Sequence, residues 1–307
     1  MGHTIQLNRV FRLISISLKG FSQVMLMENA LSGGLILLGI FLHSPLLATM
    51  AFLSSMAGTL TGYYLGGDRA AVKSGMYGFN SLLSGIAVML FLYVSWRWIV
   101  VPFIGCAAGL LMILFSRVFN RLHIPVLTIP FVLMTWIGLL LTYRIDGLHV
   151  NPSFVTASPT QWLIPYEGTP NFFASLIKGV GEVFIIDSFW AGSLILLALF
   201  VAGWRYGVYA IAGAFISWLT AISLGVDVAS LDLGLYNYNA VLTIIAVGLL
   251  FDEKRNFPFV GILAAAMTVP ITAGMDHLIN PFGLPALTSP FILSTWTFLI
   301  VRKFLPI

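Results

Sequence analysis

The sequence predicts an all-α membrane protein: two inverted repeats of five transmembrane helices, each with a re-entrant half-helix, around a central pore. Three observations predict this fold: an apolar composition along the whole chain, an internal repeat, and an odd number of apolar spans in each repeat. Of the 307 residues, 59% are hydrophobic and 8% are charged, whereas soluble domains carry about 25% charged residues. Lipid must therefore cover most of the chain.

Several classes of protein are excluded by the composition. A single cysteine, Cys106, leaves no intramolecular disulfide and no cysteine-based metal cage. The sequence has no His-Glu-x-x-His motif, no Gly-x-Ser-x-Gly motif and no clustered metal ligands, so we expect neither an enzyme nor a cofactor. Arg9 and Arg12 precede an apolar stretch without a small-x-small cleavage site, and we expect no cleaved signal peptide.

Ten apolar spans follow one another between glycines, prolines and charged clusters. A helix needs about 20 apolar residues to cross the hydrocarbon core of a bilayer. We place the spans at 31–45, 46–66, 80–95, 98–116 and 124–143, and then at 190–203, 205–224, 239–251, 257–275 and 284–301. Two further stretches, 13–28 and 172–187, each carry a lysine with acidic or amide residues, which is typical of half-helices that enter the membrane and stop.

Basic residues lie on one side of these spans. With both termini in the cytoplasm, eleven basic residues face inward, against Arg97 and Arg144 outside. The eleven are Arg9, Arg12, Arg69, Lys73, Arg117, Arg121, Arg205, Lys254, Arg255, Arg302 and Lys303. The net charge of +4 therefore reflects cytoplasmic loops, and we expect no nucleic-acid partner. A polar external loop, 146–170, is predicted to join the first repeat, 1–145, to the second, 171–307.

The chain repeats itself at a spacing of 159–160 residues. His-Ile-Pro-Val-Leu-Thr-Ile-Pro-Phe at 123–131 returns as Gly-Leu-Pro-Ala-Leu-Thr-Ser-Pro-Phe at 283–291. Gly-Met-Tyr-Gly-Phe-Asn at 75–80 returns as Gly-Leu-Tyr-Asn-Tyr-Asn at 234–239, and Lys-Gly-Phe-Ser-Gln at 19–23 as Lys-Gly-Val-Gly-Glu at 178–182. Because each half holds five spans, the second half must cross the bilayer inverted. Inverted repeats place their binding site at the interface of the halves, near the midplane.

Polar residues that recur within the apolar stretches are the candidate binding groups. Thr128 and Thr288 each lie between two prolines, which expose oxygen atoms locally. The alternative is that each threonine only bonds back to its own helix. Gln23 and Glu182 share an amide or carboxyl oxygen, so hydrogen bonding is their common role; alternatively, Glu182 pairs with nearby Lys178.

Apolar residues recur beside these polar pairs. The rings of Phe79 and Tyr238, with Leu83 and Leu242 one helical turn later, are predicted to form flat walls opposite the polar residues. Glu28 and Asp187 are expected to cap the ends of the half-helices. A slot lined by oxygen atoms and walled by rings, without a fixed net charge, suits a small, planar, neutral solute, because a fixed charge favours ions.

These motifs resemble the urea transporter family over nearly the whole chain. The doubled Leu-Pro-x-Leu-Thr-x-Pro-Phe pattern carries the resemblance; its second copy, Leu284 to Phe291, matches in full, and the first has Ile124 as its leading residue. The resemblance implies a homotrimer in the lipid bilayer with one urea pore in each protomer. It implies the binding residues Gln23, Glu182, Thr128, Thr288, Phe79, Tyr238, Leu83 and Leu242, with Tyr238 standing where the family pattern leads us to expect phenylalanine.

Urea fits such a slot because it offers four N–H donors and one carbonyl acceptor. The short chain indicates a bacterial member in the inner (plasma) membrane. One alternative is a channel for a related neutral solute, such as a short amide or ammonia. Another is an ion-coupled transporter that uses Glu182, Glu28 or Asp187; it predicts accumulation against a gradient, whereas a passive channel only equilibrates its solute.

Overall fold

The computed structural model describes residues 2–151, 169–251 and 258–304. The predicted all-α fold is confirmed in these ranges, where the only extended pairing is one isolated antiparallel bridge between Leu92 and Val150. Most of the predicted loop 146–170 lies outside the described residues, as do Lys254 and Arg255. The chain divides into two compact units, Met1–Asn151 and Pro152–Ile307, called here the N-terminal and C-terminal units.

The N-terminal unit contains seven helices in its described residues. They are α1 (Gly2–Val24), α2 (Ala30–His43), α3 (Pro45–Tyr64), α4 (Arg69–Lys73), α5 (Gly78–Phe91), α6 (Arg97–Leu122) and α7 (Ile129–Thr142). Helices α3, α5 and α6 pack most closely on one another. Small residues allow this packing: a Cβ atom at Gly105 would lie only 2.7 Å from the carbonyl oxygen of Ser54, and close backbone approach of this kind is common between membrane helices.

The described part of the C-terminal unit has seven helices in the same order. They are α8 (Phe172–Glu182), α9 (Phe189–Ala202), α10 (Trp204–Ser223), α11 (Val228–Leu233), α12 (Asn237–Ile245), α13 (Pro258–Ile279) and α14 (Ser289–Phe304). Helix α12 continues into a π-helical turn at Ala246–Leu250, and a short 3₁₀ turn at Asn280–Phe282 follows α13. Helices α10, α12 and α13 pack together, as α3, α5 and α6 do.

Each of the ten predicted spans corresponds to a helix, and eight begin within two residues of the predicted start. The exceptions are α7 and α14, which begin five residues later than predicted. Leu127 and Leu287, just before them, have left-handed backbones with φ of 54° and 50°, and a helix cannot pass through a left-handed residue. Two short helices, α4 and α11, were not predicted.

Three helical segments are long and apolar enough to cross a bilayer by length and composition: Arg97–Leu122, Trp204–Ser223 and Phe259–Phe282. Five other apolar helices in the described ranges are shorter, such as Ala30–His43 and Ile129–Thr142. By length alone, the described helices therefore combine segments that could cross a bilayer with shorter apolar ones.

The two predicted half-helix stretches differ in their outcome: α8 begins at the predicted Phe172, whereas α1 begins at Gly2, eleven residues before the predicted start at 13. Close contacts with the next helix fix both α1 and α8. In the N-terminal unit α2 crosses α1 at Gly33, where any side chain would overlap the carbonyl group of Leu18. In the C-terminal unit α9 crosses α8 at Gly192, where a side chain would overlap the carbonyl group of Ile177. Only glycine permits these two approaches.

Left-handed backbone positions recur at the spacing of the sequence repeat. Five such positions in the N-terminal unit each have a left-handed counterpart 159 or 160 residues later. The pairs are Leu26 with Ile185, Gly66 with Gly225, Gly75 with Gly234, His123 with Gly283, and Leu127 with Leu287. Bulky residues rarely adopt this conformation, and such strain gathers at functional sites. Leu127 and Leu287 directly precede the two candidate threonines.

Candidate functional site

Gln23 lies near the end of α1, where a neighbouring loop fixes its amide group. Its Nε2 donates a hydrogen bond to the carbonyl oxygen of Ser74 at 3.0 Å. The loop reaches this position because Gly75 has a φ of 84° and lies against α1, where a Cβ atom would come within 2.6 Å of the Gly20 nitrogen. The amide nitrogen of Gln23 is thus engaged within its own unit, and the acceptor end of the side chain is oriented by that bond.

Glu182 is the last residue of α8 and is half-buried. The alternative that it pairs with Lys178 is not what the structure shows, because the Lys178 ammonium lies 3.0 Å from the Asp187 carboxylate. The backbone carbonyl of Glu182 accepts the Ile185 N–H at 2.9 Å, but no described residue is found to donate a hydrogen bond to the Glu182 carboxyl group. Its carboxyl oxygens are therefore available to accept hydrogen bonds from a solute.

The half-helix lysines form the same ion pair in both units. The Lys19 ammonium lies 2.6 Å from the Glu28 carboxylate, and the Lys178 ammonium lies 3.0 Å from the Asp187 carboxylate. These two carboxylates were expected to cap the half-helix ends, but they bind the lysine side chains instead. The N-caps of the following helices α2 and α9 are Asn29 and Ser188.

In the N-terminal unit, Asn80 fastens the turn that holds Thr128. Its Nδ2 donates to the carbonyl oxygen of Leu127 at 3.1 Å, and its Oδ1 accepts from the backbone N–H of Phe131 at 3.2 Å. Thr128 is the N-cap residue of α7 and is 2% exposed. Because α7 begins only at Ile129, the residue four positions before Thr128 lies outside that helix.

In the C-terminal unit, Asn239 and Tyr238 fasten the corresponding turn before Thr288. Asn239 Nδ2 donates to the carbonyl oxygen of Leu287 at 3.1 Å, and the Tyr238 hydroxyl donates to the same oxygen at 2.6 Å. Thr288 is 2% exposed and precedes α14, which begins at Ser289. A carbonyl oxygen has two lone pairs, so these two donors occupy the Leu287 acceptor fully.

The two turns differ in how many side-chain donors bind the carbonyl oxygen of the left-handed leucine. Phe79 has no hydroxyl, so among the described residues the Leu127 carbonyl accepts a side-chain hydrogen bond from Asn80 alone, whereas the Leu287 carbonyl accepts two. The Oδ1 atom of Asn239 is buried without a partner among the described residues. The tyrosine hydroxyl is thus one chemical difference between the two candidate half-sites.

Three of the four predicted slot-wall residues are buried in their own units, and the fourth, Tyr238, is partly exposed. Phe79 is 4% exposed, and Leu83 and Leu242 are fully buried. Phe79 and Leu83 are four residues apart on α5, and Tyr238 and Leu242 are four residues apart on α12, so each pair shares a helix face. Burial of this kind fits core packing as well as a slot wall, and their role remains a prediction.

Three residues that orient the site were not identified from the sequence: Ser74, Asn80 and Asn239. Asn80 and Asn239 are fully buried and recur at the spacing of the repeat. A buried asparagine repeated within an apolar helix was the available signal. The role of Ser74 left no signal, since its contact with Gln23 uses only a backbone carbonyl.

Comparison with known proteins gives one consistent result. The profile of the family described as "Urea transporter" matches residues 14–303. The chain is 29% identical over 299 residues to urea transporter 1 of sheep (Ovis aries), goat (Capra hircus) and rat (Rattus norvegicus). Each alignment covers 92% of this chain and 76% of the relative. The matched range includes all eight candidate residues.

Proposed function

We propose a passive route for the urea carried by this chain, which belongs to the urea transporter family and so is an integral membrane protein and not an enzyme. In this proposal the two repeats cross the bilayer inverted and line one pore in each protomer of a homotrimer. Urea passes through it down its gradient. Gln23, Glu182, Thr128 and Thr288 accept its N–H groups.

The observation that carries the proposal is the fastened turn before each threonine. In both units a left-handed leucine directly precedes a threonine that is 2% exposed, and a buried asparagine on another helix binds the leucine carbonyl at 3.1 Å. A left-handed leucine costs about 1–3 kcal/mol of backbone strain. Such strain at the same place in both repeats supports a binding role for the residue that it positions.

Hydrogen-bond chemistry explains why a neutral solute suits these residues. Urea must lose its hydration shell in a narrow pore, and each N–H left without an acceptor costs about 1–3 kcal/mol. A row of oxygen acceptors offsets this cost, and the neutral side chains of Gln23, Thr128 and Thr288 do so without attracting ions. In the proposed pore, the walls are formed by Phe79, Leu83, Tyr238 and Leu242. They hold the planar solute between the two sets of acceptors.

The distribution of the basic residues supports one orientation of the chain in the membrane. The positive-inside rule supports cytoplasmic termini, with Arg97 and Arg144 on the opposite side. The location we propose is a bacterial inner (plasma) membrane.

The test is stopped-flow urea flux into proteoliposomes, with and without an imposed proton or sodium gradient. We expect urea to equilibrate and the final internal concentration to match the external one under every gradient. Protein-free liposomes give the background rate. Accumulation above the external concentration, driven by either ion, would contradict the channel and favour the ion-coupled alternative. Acetamide and ammonia, run in the same assay, test the alternative of a channel for other neutral solutes.

A further inference from the structure

A cavity of about 890 Å³ opens at the surface of the N-terminal unit, where Arg12, Arg69 and Lys73 are all exposed. Helices α1, α3 and α4 and the loop between α3 and α4 form its walls. Its chemically distinctive lining residues are Arg12, Arg69, Lys73, Thr59, Tyr63 and Tyr64. None of the eight proposed urea-binding residues lines it, so it calls for a separate explanation.

Three cations face this cavity without a counter-charge. In the described part of the chain, the only side-chain ion pairs are those of Lys19 and Lys178, and neither involves Arg12, Arg69 or Lys73. The nearest acid in sequence, Asp68, accepts the Ala71 N–H at the start of α4 and does not line the cavity. Like charges gathered around an open space favour an anion in that space.

A buried hydroxyl in the wall also lacks a partner. Thr59 is 1% exposed, and its Oγ1 atom has no hydrogen-bond partner among the described residues. Buried polar groups are nearly always hydrogen-bonded. The Oγ1 atom of Thr59 is inaccessible and faces Gly78 of α5, where a Cβ atom would lie 3.0 Å from it, so this hydroxyl belongs to the helix contact and the three cations alone define the chemistry of the cavity.

The C-terminal unit shows that the fold does not require this cavity. At the positions 159 residues later, Trp218 replaces Thr59, Phe172 replaces Leu13 and Asp232 replaces Lys73. The rings of Phe172 and Trp218 pack with their centroids 5.3 Å apart, and Asp232 accepts the N–H of Asn171 at 2.8 Å. Aromatic side chains thus fill the equivalent region, and its basic group is lost. The open, basic form is specific to the N-terminal unit.

We propose that this cavity binds the phosphate group of an anionic phospholipid, with Arg12, Arg69 and Lys73 as the cationic ligands. Basic pockets between membrane helices are suited to such headgroups. Tyr63 and Tyr64 line the same cavity and are 68% and 74% exposed, and tyrosines are enriched at the membrane–water interface. The same chemistry would take free inorganic phosphate, so the test must separate the two sources. The proposal goes beyond the urea pathway and does not depend on it.

The test is native mass spectrometry of the full chain in neutral detergent, titrated with phosphatidylglycerol or with phosphatidylcholine. The double variant Arg69→Gln/Lys73→Gln removes two of the three cations. Each basic residue near an anionic lipid surface contributes about a fivefold gain in affinity, so we expect phosphatidylglycerol to bind about 30-fold more weakly.

The matched control is Arg121→Gln/Arg205→Gln, which also removes two positive charges, but at exposed positions outside the cavity. It should keep wild-type affinity, and both variants should elute as wild type in size exclusion. Equal weakening in the two double variants, or equal binding of both lipids by wild type, would overturn the proposal. Excess inorganic phosphate is then added: retention of the lipid supports a headgroup site, and displacement supports the same anion site with free phosphate as its ligand.

Discussion

Replacing Glu182 by glutamine or by leucine separates two roles for its side chain, hydrogen-bond acceptor and proton carrier. In the repeat, Glu182 corresponds to Gln23, whose amide already occupies the same place at the end of the other half-helix. If the carboxyl group serves only as an acceptor, Glu182→Gln should fold and conduct urea, and Glu182→Leu should lose most of its flux. A proton carrier fails in both variants, because an amide cannot cycle a proton.

The structure indicates where the new amide would bind. Gln23 Nε2 donates to the carbonyl oxygen of Ser74, the residue before left-handed Gly75. Leu233 holds the corresponding place before left-handed Gly234, which lies in close contact with α8 at Gly179. We expect the glutamine variant to donate to the Leu233 carbonyl and to keep its Oε1 as an acceptor for urea.

The size of the effect follows from one lost acceptor. An unpaired donor in a desolvated site costs about 1–3 kcal/mol, which lowers the rate of urea passage in Glu182→Leu by roughly 5- to 150-fold. Glu182→Gln loses no acceptor at this position. Its flux should therefore stay within a few-fold of wild type.

Stopped-flow urea flux into proteoliposomes, corrected for the amount of reconstituted protein, is the assay. Asp187→Asn is the control for charge, because it breaks the ion pair with Lys178 and leaves Glu182 in place. An inactive glutamine variant that elutes as wild type in size exclusion would refute the acceptor role. Loss of flux in Asp187→Asn alone would instead assign the effect to the ion pair of the half-helix.

Two further predictions concern the fastened turns. Thr128→Val and Thr288→Val keep the shape of the side chain but remove an oxygen, and each should lower urea flux about 5- to 150-fold, since an unpaired solute donor costs about 1–3 kcal/mol. Tyr238→Phe removes one of the two donors to the Leu287 carbonyl but keeps Asn239, so denaturation in detergent should show a loss of about 0.5–1.5 kcal/mol in unfolding free energy, with urea flux retained.

Exposed residues of the same types provide the controls. Thr49 and Thr297 bond back to their own helices at exposed positions, one in each unit, and their valine variants should conduct as wild type. Tyr93 is 63% exposed, and Tyr93→Phe should leave stability unchanged. Wild-type flux in both Thr128→Val and Thr288→Val would contradict pore lining. A Tyr238→Phe variant as stable as wild type would show that the short hydrogen bond contributes nothing.

The sequence predicted most of the helices because hydropathy and proline positions are local signals. Helices α2, α3, α9 and α10 begin within one residue of the predicted starts, each after a serine, asparagine or glycine that ends the preceding segment. The starts of α7 and α14 were wrong, because no local rule places a leucine in the left-handed region. Asn80 holds Leu127 from 47 positions away in the chain, and only the folded structure brings them together.

The candidate site was predicted in part for the same reason. Thr128 and Thr288 were identified because each recurs between two prolines, a pattern visible in one sequence. The ion-pair partner of Lys178 was not identified from the sequence. Helical spacing suggested Glu182, four residues away, whereas the structure pairs Lys178 with Asp187 beyond the helix end. The turn at left-handed Ile185 brings the chain back toward the helix, and helical spacing does not anticipate such a turn.

Each half-helix is held at three points within its own unit: the glycine crossing at Gly33 or Gly192, the lysine–carboxylate pair, and the left-handed turn at its end. A segment so fastened has no hinge of its own. Collective domain motions take microseconds to milliseconds and set the speed of proteins that rock between two states. In the proposed channel, by contrast, a solute molecule waits only for one set of hydrogen bonds to be exchanged for the next, so the pace of permeation is set by the solute and not by the protein.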